Sequence, residues 1–304
     1  AGYALGGGGL LPKPTATATV TPTPTMVPTA TVTMTATVTL TAAPKVMETA
    51  TLKVASSLKD DSRMISEADG MELVYVPAGE FWMGSFDGDK NAEVNERPAH
   101  EVYLDAYWID RNEVTNGMYE TCVHMGVCRA PRGDGSETRN AYYGEVQYAN
   151  YPVIYVDWYM AKTYCEWAGR RLPSEAEWEK AARGTDGRIY PWGDEPPSCR
   201  LANHSSCEAD TVAVGNYKAG ISPYGALDMA GNVWEWVADW YDKGYYRNSP
   251  RENPSGASFG EERVVRGGGW NSVVRYVRSA NRYWRLPSHN LNNLGFRCAL
   301  STSP

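Results

Sequence analysis

The chain has 304 residues, a formal charge of −7 and a pI near 5.3, which leaves no basic footprint for nucleic acid or an anionic membrane surface. Its 42% hydrophobic content is enough for a sizeable core, and no apolar run reaches the length of a membrane span. Trp (11) and Tyr (20) far outnumber Phe (4), so much of the aromatic surface carries an N–H or O–H that wants a partner, as at half-wet binding faces.

The N-terminal AGYALGGGGLL, residues 1–11, is short, small and apolar, and reads as a remnant beside a processed export signal. Residues 12–69 read as a stalk or linker; up to residue 44 they are almost only Thr, Ala, Val and Pro, which cannot build a core. Within this tract Thr29 to Thr41, TATVTMTATVTLT, alternates Thr with an apolar residue, the period of a strand. Two readings stand: an extended, O-glycosylated spacer, or an edge strand that self-assembles with a neighbouring subunit.

Composition changes at about residue 70, and 70–304 reads as one loop-rich α+β domain. MELVYVPAGEFWMGS carries strand-like apolar runs punctuated by Pro-Ala-Gly, and HEVYLDAYWIDRNEVT follows as a second strand. WYMAKTYCEWAGRRLPSEAEWEKAARG predicts two helices. The first has apolar residues at 158, 160, 161, 164, 165, 167 and 168 and ends at Gly169; the second opens with a capping box from Ser174 to Glu177. Beyond Gly184 few regular elements are expected. DGDKNAE, with Asp87, Asp89, Asn91 and Glu93, lacks the glycine and distal glutamate of an EF-hand loop and reads as a solvated acidic loop.

The six cysteines, at 122, 128, 165, 199, 207 and 298, show no CxxC pair or Cys/His cluster with zinc spacing. Two pairs lie close in sequence, Cys122 with Cys128 and Cys199 with Cys207. Short loops and an even count suggest disulfides and an oxidising compartment, against the alternative of six reduced, buried thiols. Together with the N-terminal tract this points to a secreted or cell-surface protein of a bacterium.

From about Met71 to Leu300, the ordered words VPAGEFWMGS, ERPAHEVYLDAYWIDRNEVTNGMY, YPVIYVDWYMAKTYCEWAGRRLPSEAEWEKAARG, YPWGDE, YGALDMAGNVWEWVADWY and RGGGW…LGFRCA resemble the formylglycine-generating enzyme (sulfatase-modifying factor) family. The resemblance implies a decorated variant of the C-type lectin fold. Enzymes of this family oxidise a substrate cysteine to formylglycine with oxygen, holding copper(I) on two thiols just after the glycine-rich word; soft ligands are needed for that ion. Those positions fall near Ser272 and Val277, neither of which can serve, so copper is not expected. A further branch, the iron sulfoxide synthases, needs a histidine triad; His100, His124, His204 and His289 offer no such spacing. The resemblance also implies a Cys165–Cys298 disulfide, which leaves Cys122–Cys128 and Cys199–Cys207 as local bridges worth about 2–3 kcal/mol each by loop closure.

Calcium is implied as well, on Asp228, the carbonyls of Gly231 and Val233, and Glu235, an oxygen set around a glycine turn that suits a hard cation. The alternative is a turn in which Asp228 and Glu235 accept from backbone amides. A second, weaker set lies near Asn203, His204 and Asp210.

Residues 266–297 are also similar to the variable segment of the proteins diversified by retroelements, in which glycine and arginine words stay fixed around replaceable positions. Framework positions would be Gly267, Gly268, Gly269, Trp270, Arg278, Ser279, Ala280, Arg282, Gly295, Phe296 and Arg297. Ligand-facing positions would be Asn271, Ser272, Val273, Val274, Tyr276, Val277, Tyr283, Trp284, Leu286, Ser288, His289 and Leu291, with rigid aromatics and adaptable polar groups as in a paratope. The alternative is that these residues pack a loop-rich core. Three functions follow: a non-catalytic protein that binds a protein or glycan ligand at this surface, a filament subunit assembled through Thr29 to Thr41, and a copper-dependent oxidase with a rearranged site.

Overall fold

The structure, a computed structural model, describes residues 62–302, so Thr29 to Thr41 lies outside the described residues. Leu73 and Tyr75 of strand β2 (Glu72–Val76) enter one apolar cluster while Val74 and Val76 enter another, because successive side chains of a strand point to opposite faces. A strand buried on both faces reads as a continuous apolar run, which is what ELVYV is. It belongs to an antiparallel sheet in the order β1-β2-β5-β10, with β1 at Arg63–Ile65, β5 at Tyr107–Asp110 and β10 at Ala299–Ser301. Helices α1 (Asn116–His124) and α2 (Trp158–Trp167) send Tyr119, Ala161 and Tyr164 into the first cluster; α3 (Glu175–Arg183) sends Ala176, Trp178 and Ala181 into the second. The sheet is therefore covered on both sides, and the fold is α+β.

Three features depart from the sequence reading. HEVYLDAYWID is not one strand: β4 (His100–Leu104) pairs with β3 (Gly79–Met83) in a separate ribbon, and β5 joins the larger sheet. The break falls at Asp105, an exposed residue whose N–H donates to Asn253 Oδ1 at 2.9 Å. The compositional boundary at residue 70 falls inside the turn of the β1–β2 hairpin, where Gly70 N–H donates to the Ser66 carbonyl. Helix α1 was not expected, since NGMYETCVH has a glycine and weak apolar periodicity. Its N-cap is Thr115, which accepts from Met118 N–H, and Tyr119 stacks on Tyr164 at 5.5 Å, so packing rather than propensity holds it.

The region past Gly184 carries a second sheet, in the order β8-β7-β6-β9, with β6 at Trp234–Trp240, β7 at Arg263–Arg266, β8 at Tyr283–Arg285 and β9 at Leu294–Phe296. Only the β6–β9 pairing is parallel. All six cysteines are paired, as Cys122–Cys128, Cys165–Cys298 and Cys199–Cys207. Among the described residues no helix is long and apolar enough to cross a membrane.

Candidate functional site

The segment from Arg266 to Arg297 begins where β7 ends and runs back through β8 and β9. Gly268 has φ +75, and a Cβ there would lie 2.8 Å from Val277 Cγ1 and 3.0 Å from the Tyr276 carbonyl oxygen, so the glycine is what lets the 273–277 turn close against β7.

Four arginines of this segment are almost completely buried, and each meets a buried carboxylate. Arg266 donates to Glu179 Oε2 at 2.5 Å and to the carbonyls of Ser279 and Asn281. Arg278 grips both oxygens of Glu96 (2.6 and 2.7 Å) and also Asp89 at 2.9 Å, so Asp89 belongs to this clamp rather than to a purely solvated loop. Arg282 is bidentate on Glu175 (2.7 and 2.8 Å), and Arg297 is bidentate on Glu235 at 2.6 Å for each bond. Burial opposes the charge of Arg282 and Arg297, yet Glu175 and Glu235 hold both well above the ordinary guanidinium range. Planar, bidentate pairs fix orientation as well as charge. The segment is thereby pinned to α3, to the 84–97 loop and to β6.

Between the clamps runs a ladder of rings. Tyr241 and Trp284 stack at 4.5 Å, Trp284 and Tyr283 at 4.8 Å, Tyr283 and Trp234 lie 5.4 Å apart, and Trp234 and Tyr276 6.4 Å. The Arg285 guanidinium sits 4.6 Å over Tyr283 and that of Arg275 4.6 Å over Tyr276, a favourable cation–π geometry. Tyr276, Tyr283 and Trp284 are half-buried, so the ladder has an anchored side and a wet side. At one end, Trp284 and Tyr241 line a cleft of about 520 Å³ with Asn95, Lys243 and Glu262. Midway along, Trp234 and Tyr283 form a narrow crevice with Leu291 and Asn293. Tyr241 and Trp234 come from WEWVADWY, whose aromatic run was the one available sign of them.

Most expected ligand-facing positions are accessible: Asn271, Val273, Val274, Leu286, Ser288 and His289 are exposed and Leu291 is half-buried. Asn271 Oδ1 accepts from Asn293 Nδ2 at 2.8 Å. Leu286 to His289 form a turn, closed by the His289 N–H to the Leu286 carbonyl and held by Trp158 N–H on the Pro287 carbonyl. Two positions are corrected. Ser272 is 6% exposed and its Oγ accepts from Gly269 N–H at 2.9 Å; Val277 is 0% exposed and packs with Tyr190, Ala202 and Ala230. Both are internal supports of the turn and present nothing to a ligand.

Residues 61–302 match the sulfatase-modifying factor enzyme 1-like domain. The chain belongs to this family. It is 36% identical to the formylglycine-generating enzyme of Streptomyces coelicolor over 279 residues, covering 74% of this chain and 88% of the relative. It is 38% identical to a serine/threonine-protein kinase of Chlamydia pneumoniae over 250 residues, covering 75% of this chain but only 38% of the kinase. The chain thus spans well under half the length of that relative. Among solved structures, Treponema denticola variable protein 1 superposes with a TM-score of 0.64 at 23% identity, covering 80% of this chain and 99% of that one; at that identity the likeness is one of fold.

Membership of the sulfatase-modifying factor family raises the question of its metals. The positions that the resemblance assigns to copper do not fit such an ion: a turn-capping hydroxyl at Ser272 and a core methyl group at Val277 offer no soft donor. The calcium set is divided. Both oxygens of Glu235 are engaged, by Arg297 and by Trp178 Nε1 at 2.7 Å. Asp228 Oδ2 accepts from Gly215 N–H, while the neighbouring Glu113 Oε2 and Asn112 Oδ1 are buried and accept from no N–H or hydroxyl group. Burial and then Asp228 push Glu113 well above the ordinary carboxylate range. Glu113 also hydrogen-bonds Asp228, and a hard cation would satisfy this carboxyl pair and the Asn112 oxygen in the place of the shared proton. Gly231 and Val233 lie in the turn entering β6, where Gly231, at φ +81, packs on Asn203; a Cβ would fall 2.1 Å from the Asn203 carbonyl oxygen. Asn203 Nδ2 donates to the Asp210 carbonyl, but the Asp210 carboxylate is already served by Ser136, Thr138, Arg139 and Thr211. Those donors hold Asp210 below the ordinary carboxylate range against the opposing effect of burial, and that second set has no oxygen left wanting a cation.

Proposed function

We propose that this domain is a secreted or cell-surface module that holds a protein or glycan ligand on its C-terminal segment without converting it. The observation that carries the reading is the ring ladder from Tyr241 to Tyr276, wet on one side and flanked by Arg275 and Arg285, on a backbone locked by four buried arginines. Rigid aromatic faces give contact area at low entropic cost, and Asn271, Ser288 and His289 supply adaptable hydrogen bonds. The lack of a thiol at Ser272 and Val277, where the resemblance places the copper ligands, supports binding over oxidation.

The test is binding of the full chain to an array of extracellular glycans and to a panel of secreted proteins. Trp284→Ala and Tyr283→Ala should each weaken the interaction by about tenfold or more, with the melting midpoint little changed. A cysteine peptide turned over to formylglycine in the presence of copper(I) would overturn the reading. Diversification of the segment by a retroelement is an extension of it; a near-copy of the codons for residues 266–297 beside a reverse transcriptase gene would support it, and their absence from the locus would remove it.

A structural calcium ion accompanies this reading, held through Asp228 with Glu113 and Asn112 in place of Glu235. Chelation should lower the melting midpoint of the native chain and leave Asp228→Asn unaffected; an equal response in both would exclude Asp228 as a ligand.

A further inference from the structure

Cys199 and Cys207 close a short loop, SCRLANHSSC, and His204 lies inside it. A ring nitrogen of His204 and the two sulfurs all lie within 4.8 Å of one another. His204 is 3% exposed and its Nε2 is buried with no hydrogen-bond partner, a cost that folded proteins seldom leave uncompensated.

Hydrogen bonds as well as the disulfide hold the loop. Ser205 N–H donates to the Ser272 carbonyl at 3.0 Å, Asn232 N–H to the Asn203 carbonyl at 2.9 Å, and Asn203 Nδ2 to the Asp210 carbonyl at 2.9 Å. With its backbone held on three sides, opening the S–S bond leaves both sulfurs beside the imidazole. Access also singles out this bridge: Cys199 is exposed and Cys207 half-buried, whereas Cys122, Cys128, Cys165 and Cys298 are buried. Thiol–disulfide exchange requires an attacking thiolate to reach a sulfur, and this bridge is the most accessible of the three.

We propose that Cys199, His204 and Cys207 form a redox-gated site for copper(I), distinct from the family's copper position at Ser272 and Val277. An external dithiol supplies two electrons and two protons: the Cys199–Cys207 bond breaks, two thiols form, and the dithiol closes to its own disulfide. Copper(I) then displaces the two thiol protons to solvent and is held by two thiolates and the imidazole. Soft sulfur donors select such an ion. Among the described residues no fourth His, Cys, Asp or Glu joins the group, which suits a three-coordinate ion better than a closed tetrahedral zinc site.

The full chain, treated anaerobically with limiting dithiothreitol, is alkylated and mapped by mass spectrometry, and a parallel sample is titrated with copper(I) against bicinchoninate. New thiols should appear first at Cys199 and Cys207, and copper(I) should bind at one equivalent. His204→Gln should weaken binding by about tenfold or more and C199S/C207S should abolish it. X-ray absorption on the native sequence should show sulfur and imidazole scatterers, independently of how the variants fold. Release of thiols from another pair first, copper uptake unchanged in C199S/C207S, a sulfur-free coordination sphere, or tighter retention of zinc(II) than of copper(I) would each overturn the proposal.

Discussion

Each buried guanidinium of the C-terminal segment meets a carboxylate from a different part of the chain: Arg266 meets Glu179, Arg278 Glu96, Arg282 Glu175 and Arg297 Glu235. Removing one partner would strand the other charge in the core, which costs about 3–5 kcal/mol. Asp239 is the contrasting case, a buried carboxyl whose Oδ2 accepts from Glu175 N–H at 2.8 Å. Burial first, and then the charges of Glu175 and Glu177, raise it to about 8, while the Glu175 amide and Arg282 pull the other way. Arg263 and Tyr245 also face it. Its folded pKa lies above the unfolded value of about 3.9, so the folded chain keeps a proton that the unfolded chain has lost. The stability this confers is complete below about pH 4 and is lost as pH rises through about 8. Asp239→Asn keeps the acceptor and removes the titration. Melting midpoints followed from about pH 5 to 9 should decline less in the variant than in the native chain; parallel curves would show that another group governs this range.

Among the elements, α3 and α1 are stabilised in opposite ways. The capping box of α3 is complete, with Ser174 Oγ accepting from Glu177 N–H at 3.1 Å and Glu177 Oε2 accepting from Ser174 N–H at 2.8 Å. Such a cap is worth about 1 kcal/mol, and it was legible because the reciprocal bonds are local. Helix α1 lacks such a signal and depends on Tyr119 and on Cys122, which leads into the bridge to Cys128. The two cross-links should differ in weight. Cys165–Cys298 ties α2 to the junction of β9 and β10 across 133 residues, and the chain-entropy relation gives about 5 kcal/mol for it. Cys122–Cys128 spans 6 residues and gives about 2 kcal/mol. Denaturant unfolding should show C165A/C298A losing more than twice the stability lost by C122A/C128A; equal losses would mean that native packing, not loop closure, sets the contribution.

Over the whole molecule, the clamps and the ladder divide the labour of one segment: arginines and glycines fix its path, and rings between them remain half in water. Much of this follows from local words. The family motifs, the capping box and the arginine-glycine framework depend on neighbours a few residues apart, or on an ordered series of such words, and a sequence displays these directly. The fates of Ser272 and Val277 do not, because a serine that caps Gly269 and a valine that meets Tyr190 look in sequence like any exposed variable pair. The division of HEVYLDAYWID into two sheets likewise turns on which partner strand each half finds. The ladder joins rings on β6 and β8, brought side by side through β7. The sequence by itself therefore determined the family, the fold class and the glycine and arginine words of the C-terminal framework, since those depend on residue type and spacing. Only the tertiary structure decided which aromatic faces stay wet, which carboxylates are already spent on arginine, and that a His204 ring nitrogen lies beside two sulfurs, since burial and partnership arise where distant segments meet.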